Sequence, residues 1–408
     1  MKACERLLKY VAVHTQSSED SNTVPSTPCQ FDLAKLLVEE MKDLGIEDAY
    51  VDEHCYVYGH IPASPGYEHA EKLGFIAHMD TSPDFSGEHV NPIITENYDG
   101  KDFPLGTSGK ILSPANFPHL SSLKGRTLIT TDGTTLLGAD DKAGIAEILT
   151  AVEQLLTQDI SHGPISLGFT PDEEIGTGAH TFDVSIFNAD YAYTLDGSVE
   201  GEIQYENFTA AKADFAVQGF NVHPGTSKDT MINASLLAME INNMLPSFET
   251  PSHTECYEGF YHLTGMSGSV TNAELHYIIR DFDENLLAAR KNTLTLIEKI
   301  MNEKYGSGTV TLTIADQYKN MRGHIESMNC LHLVENAKKA CEAVGITPIV
   351  EPIRGGTDGA QLTYKGLPCP NLGTGGFSFH GPYEHITVEA MDLTTSMILE
   401  LIQIYAKR

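Results

Sequence analysis

Short apolar runs alternate with amphipathic stretches through the first half of the chain. LGFIA (73–77), ISLGF (165–169) and YAYTL (191–195) are continuous apolar segments bounded by turn residues, which predicts strands buried on both faces. Between the first two lies KAGIAEILTAVEQLLTQ (142–158), a helical pattern in which Ile145, Ile148, Leu149, Val152 and Leu156 share one face. An earlier helical stretch, FDLAKLLVEEMKDLG, stops at Gly45, a residue suited to ending a helix. Strands alternating with helices predict an α/β domain with a mostly parallel sheet covered by helices.

The pattern changes at about residue 207. TAAKADFAVQG alternates Ala211, Ala213, Phe215 and Val217 as a half-buried strand does, and MINASLLAMEINNML follows as a helix. TECYEGFYHLTG and SVTNAELHYIIRDFD read as two strands, ENLLAARKNTLTLIEKIMNEKYG as a second helix, and TVTLTIADQY as a closing strand. The order βαββαβ is the ferredoxin-like arrangement. After about residue 318 the α/β pattern resumes, with a Gly-rich PIRGGTDGAQ before the final helix. The expected organisation is a discontinuous domain of residues 1–206 and 318–408, interrupted by an inserted lid or dimerisation-type domain of residues 207–317.

Composition narrows the partners. The 26 basic and 56 acidic residues give a formal charge of −30, which repels nucleic acid and anionic lipid. The opening MKACERLLKYVAVHTQ carries Glu5, Arg6 and Lys9 where a signal peptide needs apolar residues. A run of ~18 apolar residues, as a membrane helix needs, is lacking. The seven cysteines are scattered, without a C-x-x-C pair, and suit reduced thiols in a cytoplasm.

The candidate chemistry lies just past the apolar runs. His78, Asp140, the pair Glu173–Glu174, Asp196 and His380 appear in that order. In open α/β sheets functional groups gather beyond the carboxyl ends of strands, so these residues are expected to meet. Two imidazoles with three or more carboxylates suit two zinc-like ions sharing one carboxylate, a device for amide hydrolysis. Each residue alone has a plainer reading: Asp140 and Asp141 could cap the helix from Lys142, and Glu173–Glu174 could be a solvated pair. Asp80, two residues after His78, is placed to orient its ring.

The motifs H-x-D (His78, Asp80), GADDKAG (138–144), DEE-x-G (172–176), LDG (195–197) and H-x-x-x-E (His380, Glu384) occur in order. Together with VPST, NVHPG, YIIRDFD and RGGTDGA, they resemble the di-zinc exopeptidase family. That family includes tripeptide aminopeptidases, succinyl-diaminopimelate desuccinylase and glutamate-releasing carboxypeptidases. The resemblance spans nearly the whole chain and is nearest to the tripeptide aminopeptidases.

It implies one metal held by His78 and Asp196, another by Glu174 and His380, and Asp140 bridging them. Glu173 becomes the general base that activates the attacking water, and Asp80 a supporting carboxylate. His380 is preferred over His385 because it has the H-x-x-x-E spacing. The resemblance also implies a cis Asp140–Asp141 peptide. His223 would stabilise the oxyanion; Arg280, Asn320 and Arg354 would grip the peptide carboxylate. The expected enzyme is a cytoplasmic di-zinc aminopeptidase acting on tripeptides, with Co2+ or Mn2+ as substitute ions and a homodimer formed through the inserted domain. The rivals are a sibling hydrolase of dipeptides or N-acyl amino acids, and a non-catalytic zinc- or peptide-binding relative.

Overall fold

The computed structural model describes residues 1–407, and the chain divides into two compact units. The first comprises Met1–Tyr205, Met321–Glu351 and the chain from Thr357; the second comprises Glu206–Asn320 and Pro352–Gly356. The segment Pro352–Gly356, which carries Arg354, therefore joins the second unit rather than the first. Its attachment is local: Ile353 donates its N–H to the Glu206 carbonyl at 2.8 Å, and Arg354 reaches the carbonyls of Cys256 and Glu258.

The first unit holds an eight-stranded sheet. Its centre is parallel. Ile165–Thr170, Leu73–His78, Tyr191–Gly197 and Asn371–Gly373 lie side by side in that order. Antiparallel pairs close both flanks, Val57–Ile61 beside Ile165–Thr170 and Glu202–Gln204 beside Asn371–Gly373. Every residue of Leu73–His78 and Ile165–Thr170 is buried, as expected of strands covered on both faces.

The helix Ala139–Thr157 packs on these strands with Ile145, Ile148, Leu149, Val152 and Leu155 buried. Leu155 rather than Leu156 completes the buried face. Gly144 allows the close approach of this helix to the sheet, since a Cβ there would lie 2.2 Å from the Leu195 carbonyl oxygen.

The sequence pattern gave no sign of a second, four-stranded sheet in this unit. It orders Gly376–Phe377, His385–Thr387, Leu128–Thr130 and Ile93–Thr95 in antiparallel pairs. Strands of two or three residues are too short to show a period.

The second unit is the ferredoxin-like βαββαβ. Thr209–Gln218, Ala234–Asn243, Phe260–Gly268, Asn272–Asp281, Glu284–Tyr305 and Val310–Asp316 follow one another. The sheet is antiparallel, with Asn272–Asp281 and Thr209–Gln218 in the middle. Ala211, Ala213, Phe215 and Val217 face its core with Leu275, Tyr277 and Ile279, against Leu294 and Ile297 of the longer helix. The strand anticipated across TECYEGFYHLTG begins only at Phe260. Before it the chain makes a single 3-10 turn, Pro251–His253, whose proline starts the turn.

Candidate metal centre

His78 and Asp196 reach the same place because their strands are parallel neighbours. Each lies two residues beyond the paired residues Ile76 and Thr194. His78 Nε2 is 3.5 Å from Asp196 Oδ1 and 3.0 Å from Asp140 Oδ1. The other oxygen of Asp140, Oδ2, lies 3.2 Å from His380 Nε2, which is also 2.8 Å from Glu174 Oε2. One carboxylate thus faces two imidazoles, one through each oxygen. The Asp140–Asp141 peptide is cis. Asp141 turns back into the fold, its carboxylate accepting the N–H groups of His78 at 3.1 Å and Gly144 at 3.2 Å.

The two glutamates stand on a short turn, Glu173–Ile175, directly after the strand Ile165–Thr170. Asp80, fully buried, accepts the backbone N–H of Glu173 at 3.0 Å and of Glu174 at 3.2 Å. His78 Nδ1 donates to the Asp80 backbone carbonyl at 3.1 Å, with Asp80 Oδ1 3.3 Å away. Asp80 therefore orients the ring and the turn together. Asp172 anchors the other side of the turn, taking Ser26 N–H and Gln30 Nε2 at 2.7 Å each. Ser26 belongs to the VPST segment, and its contact with Asp172 carries no signal in the sequence pattern.

His380 stands on a left-handed backbone (φ 62°) and keeps 43 % of its side-chain surface exposed. Asp84 Oδ2 lies 3.5 Å from its Nδ1 and also lines a cavity of about 550 Å³ with His14, Gln16 and Cys29. His385 does not join the cluster. It is fully buried, donates from Nδ1 to the Tyr383 carbonyl, and meets His119 Nε2 at 2.9 Å.

The charges of the cluster call for cations. Burial pushes the Glu173 carboxyl well above its usual range, with Asp196 adding to the effect. Burial and then Asp140 push Glu174 up to about 7. Burial likewise raises Asp196. His380 rises to about 11 despite burial, because Asp140 and Glu174 bond to its ring. Burial works against the charged form of Asp140 too, yet hydrogen bonds from His380 and His78 hold it below the ordinary range. Glu174 Oε1 is buried without a partner. A crowd of buried carboxylates with imidazole nitrogens beside them is a fitting donor set for divalent ions. The groups whose ligand atoms converge are His78, Asp140 and Glu174, and His78, Asp141 and Asp196.

The remaining residues expected to bind substrate lie in the second unit. His223 is exposed at the start of the turn Pro224–Thr226, its Nδ1 accepting the Gly225 N–H at 3.1 Å. Arg280 is buried over the Tyr318 ring and bonds to the Ala211 and Ile279 carbonyls and Gln317 Oε1. Arg354 stacks over Phe208 and Phe260. Among the described residues neither guanidinium pairs with a carboxylate. Asn320 bonds from Nδ2 to Glu206 and the Phe282 carbonyl.

Residues 132–404 match the family model described as peptidase family M20/M25/M40. The chain is 52 % identical over 406 residues to Peptidase T of Alkaliphilus oremlandii, covering 99 % of both chains. It is 53 % identical over 409 residues to Peptidase T of Halothermothrix orenii, covering 100 % of both. Among solved structures it resembles aminopeptidase PepT of Bacillus cereus with a TM-score of 0.78 at 22 % identity, covering 100 % of this chain and 98 % of that one. A tripeptidase of Staphylococcus aureus gives 0.79 at 22 % identity over the same shares. At that identity the structural likeness speaks for the fold.

Proposed function

The chain belongs to peptidase family M20/M25/M40, and from that premise we infer that it is a tripeptide aminopeptidase, a metal-dependent enzyme releasing the N-terminal residue of tripeptides. The observation that carries the reading is the carboxylate of Asp140, which presents one oxygen to His78 and the other to His380. On this reading His78 and Asp196 hold one ion, Glu174 and His380 the other, and Asp140 is shared. We take the ions to be zinc, with Co2+ or Mn2+ able to replace it. Two such cations supply Lewis acidity to the scissile carbonyl and to the attacking water.

The protein's own groups then do the following. Glu173 accepts the proton of the attacking water and passes it to the leaving amine. Asp80 fixes the turn from which Glu173 acts. His223 stabilises the developing oxyanion. Arg280, Asn320 and Arg354 bind the peptide's C-terminal carboxylate. The two guanidiniums are bonded only to neutral acceptors, which leaves their charge available to an anion.

The inserted unit is also the proposed surface of a homodimer. The seven cysteines are free, which supports action in the cytoplasm. No helix among the described residues is long and apolar enough to cross a membrane.

Release of the N-terminal residue from trialanine, beside N-acetyl-trialanine and dialanine, before and after chelation and zinc return, tests the reading. Chelator-sensitive cleavage of trialanine alone is expected. Cleavage of the acetylated peptide or of dialanine would move the enzyme to a sibling specificity.

A further inference from the structure

The segment that carries His380 also grips the residue His380 faces. Glu384 is 1 % exposed, and its carboxylate accepts three backbone N–H groups from one stretch of the chain. Oε2 takes Leu137 at 2.6 Å and Gly138 at 2.9 Å, and Oε1 takes Asp140 at 3.0 Å. These partners lie 244 to 247 residues earlier in sequence. Gly138 sits at φ 80°, a left-handed conformation that lets consecutive amides curl around one anion. The turn that links Glu384 to His380 is closed by the Glu384 N–H, which donates at 3.2 Å to the carbonyl of Gly381, the residue after His380. One five-residue turn therefore holds Asp140 twice, by its backbone through Glu384 and by its carboxylate through His380.

This double hold bears on Asp140 in a specific way. The side chain is useful only if its two oxygens face His78 and His380 at once, and a rotation about its own backbone would lose one of them. The Asp140 N–H donates to Glu384 Oε1, which restrains the backbone from which the carboxylate projects. We propose that Glu384 is a positioning residue that holds the carboxylate of Asp140 between His78 and His380, so that the site can retain both ions. The proposal rests on the two-ion reading given above. Glu384 itself touches neither substrate nor ion.

Removing a partner that orients a metal ligand weakens metal binding by ~10–100-fold. The test is zinc titration of the chelated full-length protein by calorimetry, beside kcat and KM for trialanine and the thermal unfolding midpoint, for wild type, Glu384→Ala and Glu384→Gln. In Glu384→Ala the weaker zinc site should lose ~10–100-fold in affinity. Its kcat at saturating zinc should drop at least about tenfold while KM stays within about twofold, because the reacting groups and not the peptide grip are displaced. Glu384→Gln keeps the shape and one accepting oxygen, and should recover part of both losses.

Wild-type affinity for both ions with wild-type kcat in Glu384→Ala overturns the proposal. If Glu384→Ala does not fold, the same criteria applied to Glu384→Gln decide it. A wild-type chain that takes up fewer than two zinc ions overturns the two-ion reading itself, and the proposal with it. Wild type binding two ions, with the variant binding both equally well, overturns the proposal alone.

Discussion

Asp80 and Glu173 are 93 residues apart, and the carboxylate of the first accepts the backbone N–H of the second at 3.0 Å. The same carboxylate takes the Glu174 N–H and lies against the His78 ring. Glu173, Glu174 and the His78 imidazole, the proposed base and two proposed ligands, are thus aligned by one buried carboxylate, and a single truncation there should disturb all three.

Glu173→Ala should keep the fold and its metal content while kcat falls by ~10²–10⁴, the usual contribution of a positioned acid–base group. Zinc content by elemental analysis and initial rates on trialanine check this together. Near-normal turnover would remove Glu173 from its role.

Asp80→Ala should harm both properties at once. Two backbone amides lose their acceptor and the His78 ring loses a neighbour, so zinc affinity should fall by ~10–100-fold along with kcat. Asp80→Asn retains one acceptor oxygen and should be milder in both measurements. An Asp80→Ala protein with unaltered zinc affinity would show that the carboxylate only fills space.

Gly144→Ala should destabilise the protein by ~1–3 kcal/mol, because the added Cβ would meet a backbone oxygen that has no rotamer to yield. That oxygen belongs to Leu195, the neighbour of Asp196, so kcat should fall as well. Urea unfolding and initial rates measure the two effects, and an unchanged midpoint would contradict the packing argument.

The pH dependence of stability should expose His385. Burial pushes its imidazole from 6.5 down to about 4 in the fold. A depressed histidine binds its proton more weakly folded than unfolded, so its stability contribution is present above about pH 6.5 and is lost as pH falls toward 4. The loss should reach about 3 kcal/mol at full effect. His385→Asn removes it, so the stability difference between wild type and variant should shrink as pH drops from 7 to 4. A difference independent of pH in urea titrations would contradict the shift.

Arg354→Ala should raise KM for trialanine at least about tenfold with a smaller change in kcat, since it removes binding shared by ground and transition states. Trialanine amide should be a poor substrate for wild type and should lose little further in the variant. Equal rates on the acid and the amide would count against carboxylate recognition.

Much of the fold was legible because its main elements are long enough to show a period. The buried runs at 73–78 and 165–170 and the βαββαβ alternation of the second unit announce themselves locally. The small sheet joining residues 93–95, 128–130, 376–377 and 385–387 did not, since two or three residues carry no period.

The chain alone supplied the candidate residues and their order, and for His78, Glu173–Glu174 and Asp196, which follow neighbouring parallel strands, the reason they emerge at one end of a sheet. Asp140 at a helix start and His380 after a short antiparallel strand carry no such signal. Tertiary structure decided which groups meet. It set His380 against Asp140 and Glu174 while turning His385 toward His119, five residues further on the same segment. It also brought Glu384 to three amides near Asp140 and Asp172 to Ser26 and Gln30. Hydrophobic periodicity reports which face of an element is buried, whereas these bonds span 142 to 266 residues and exist only once the elements have packed.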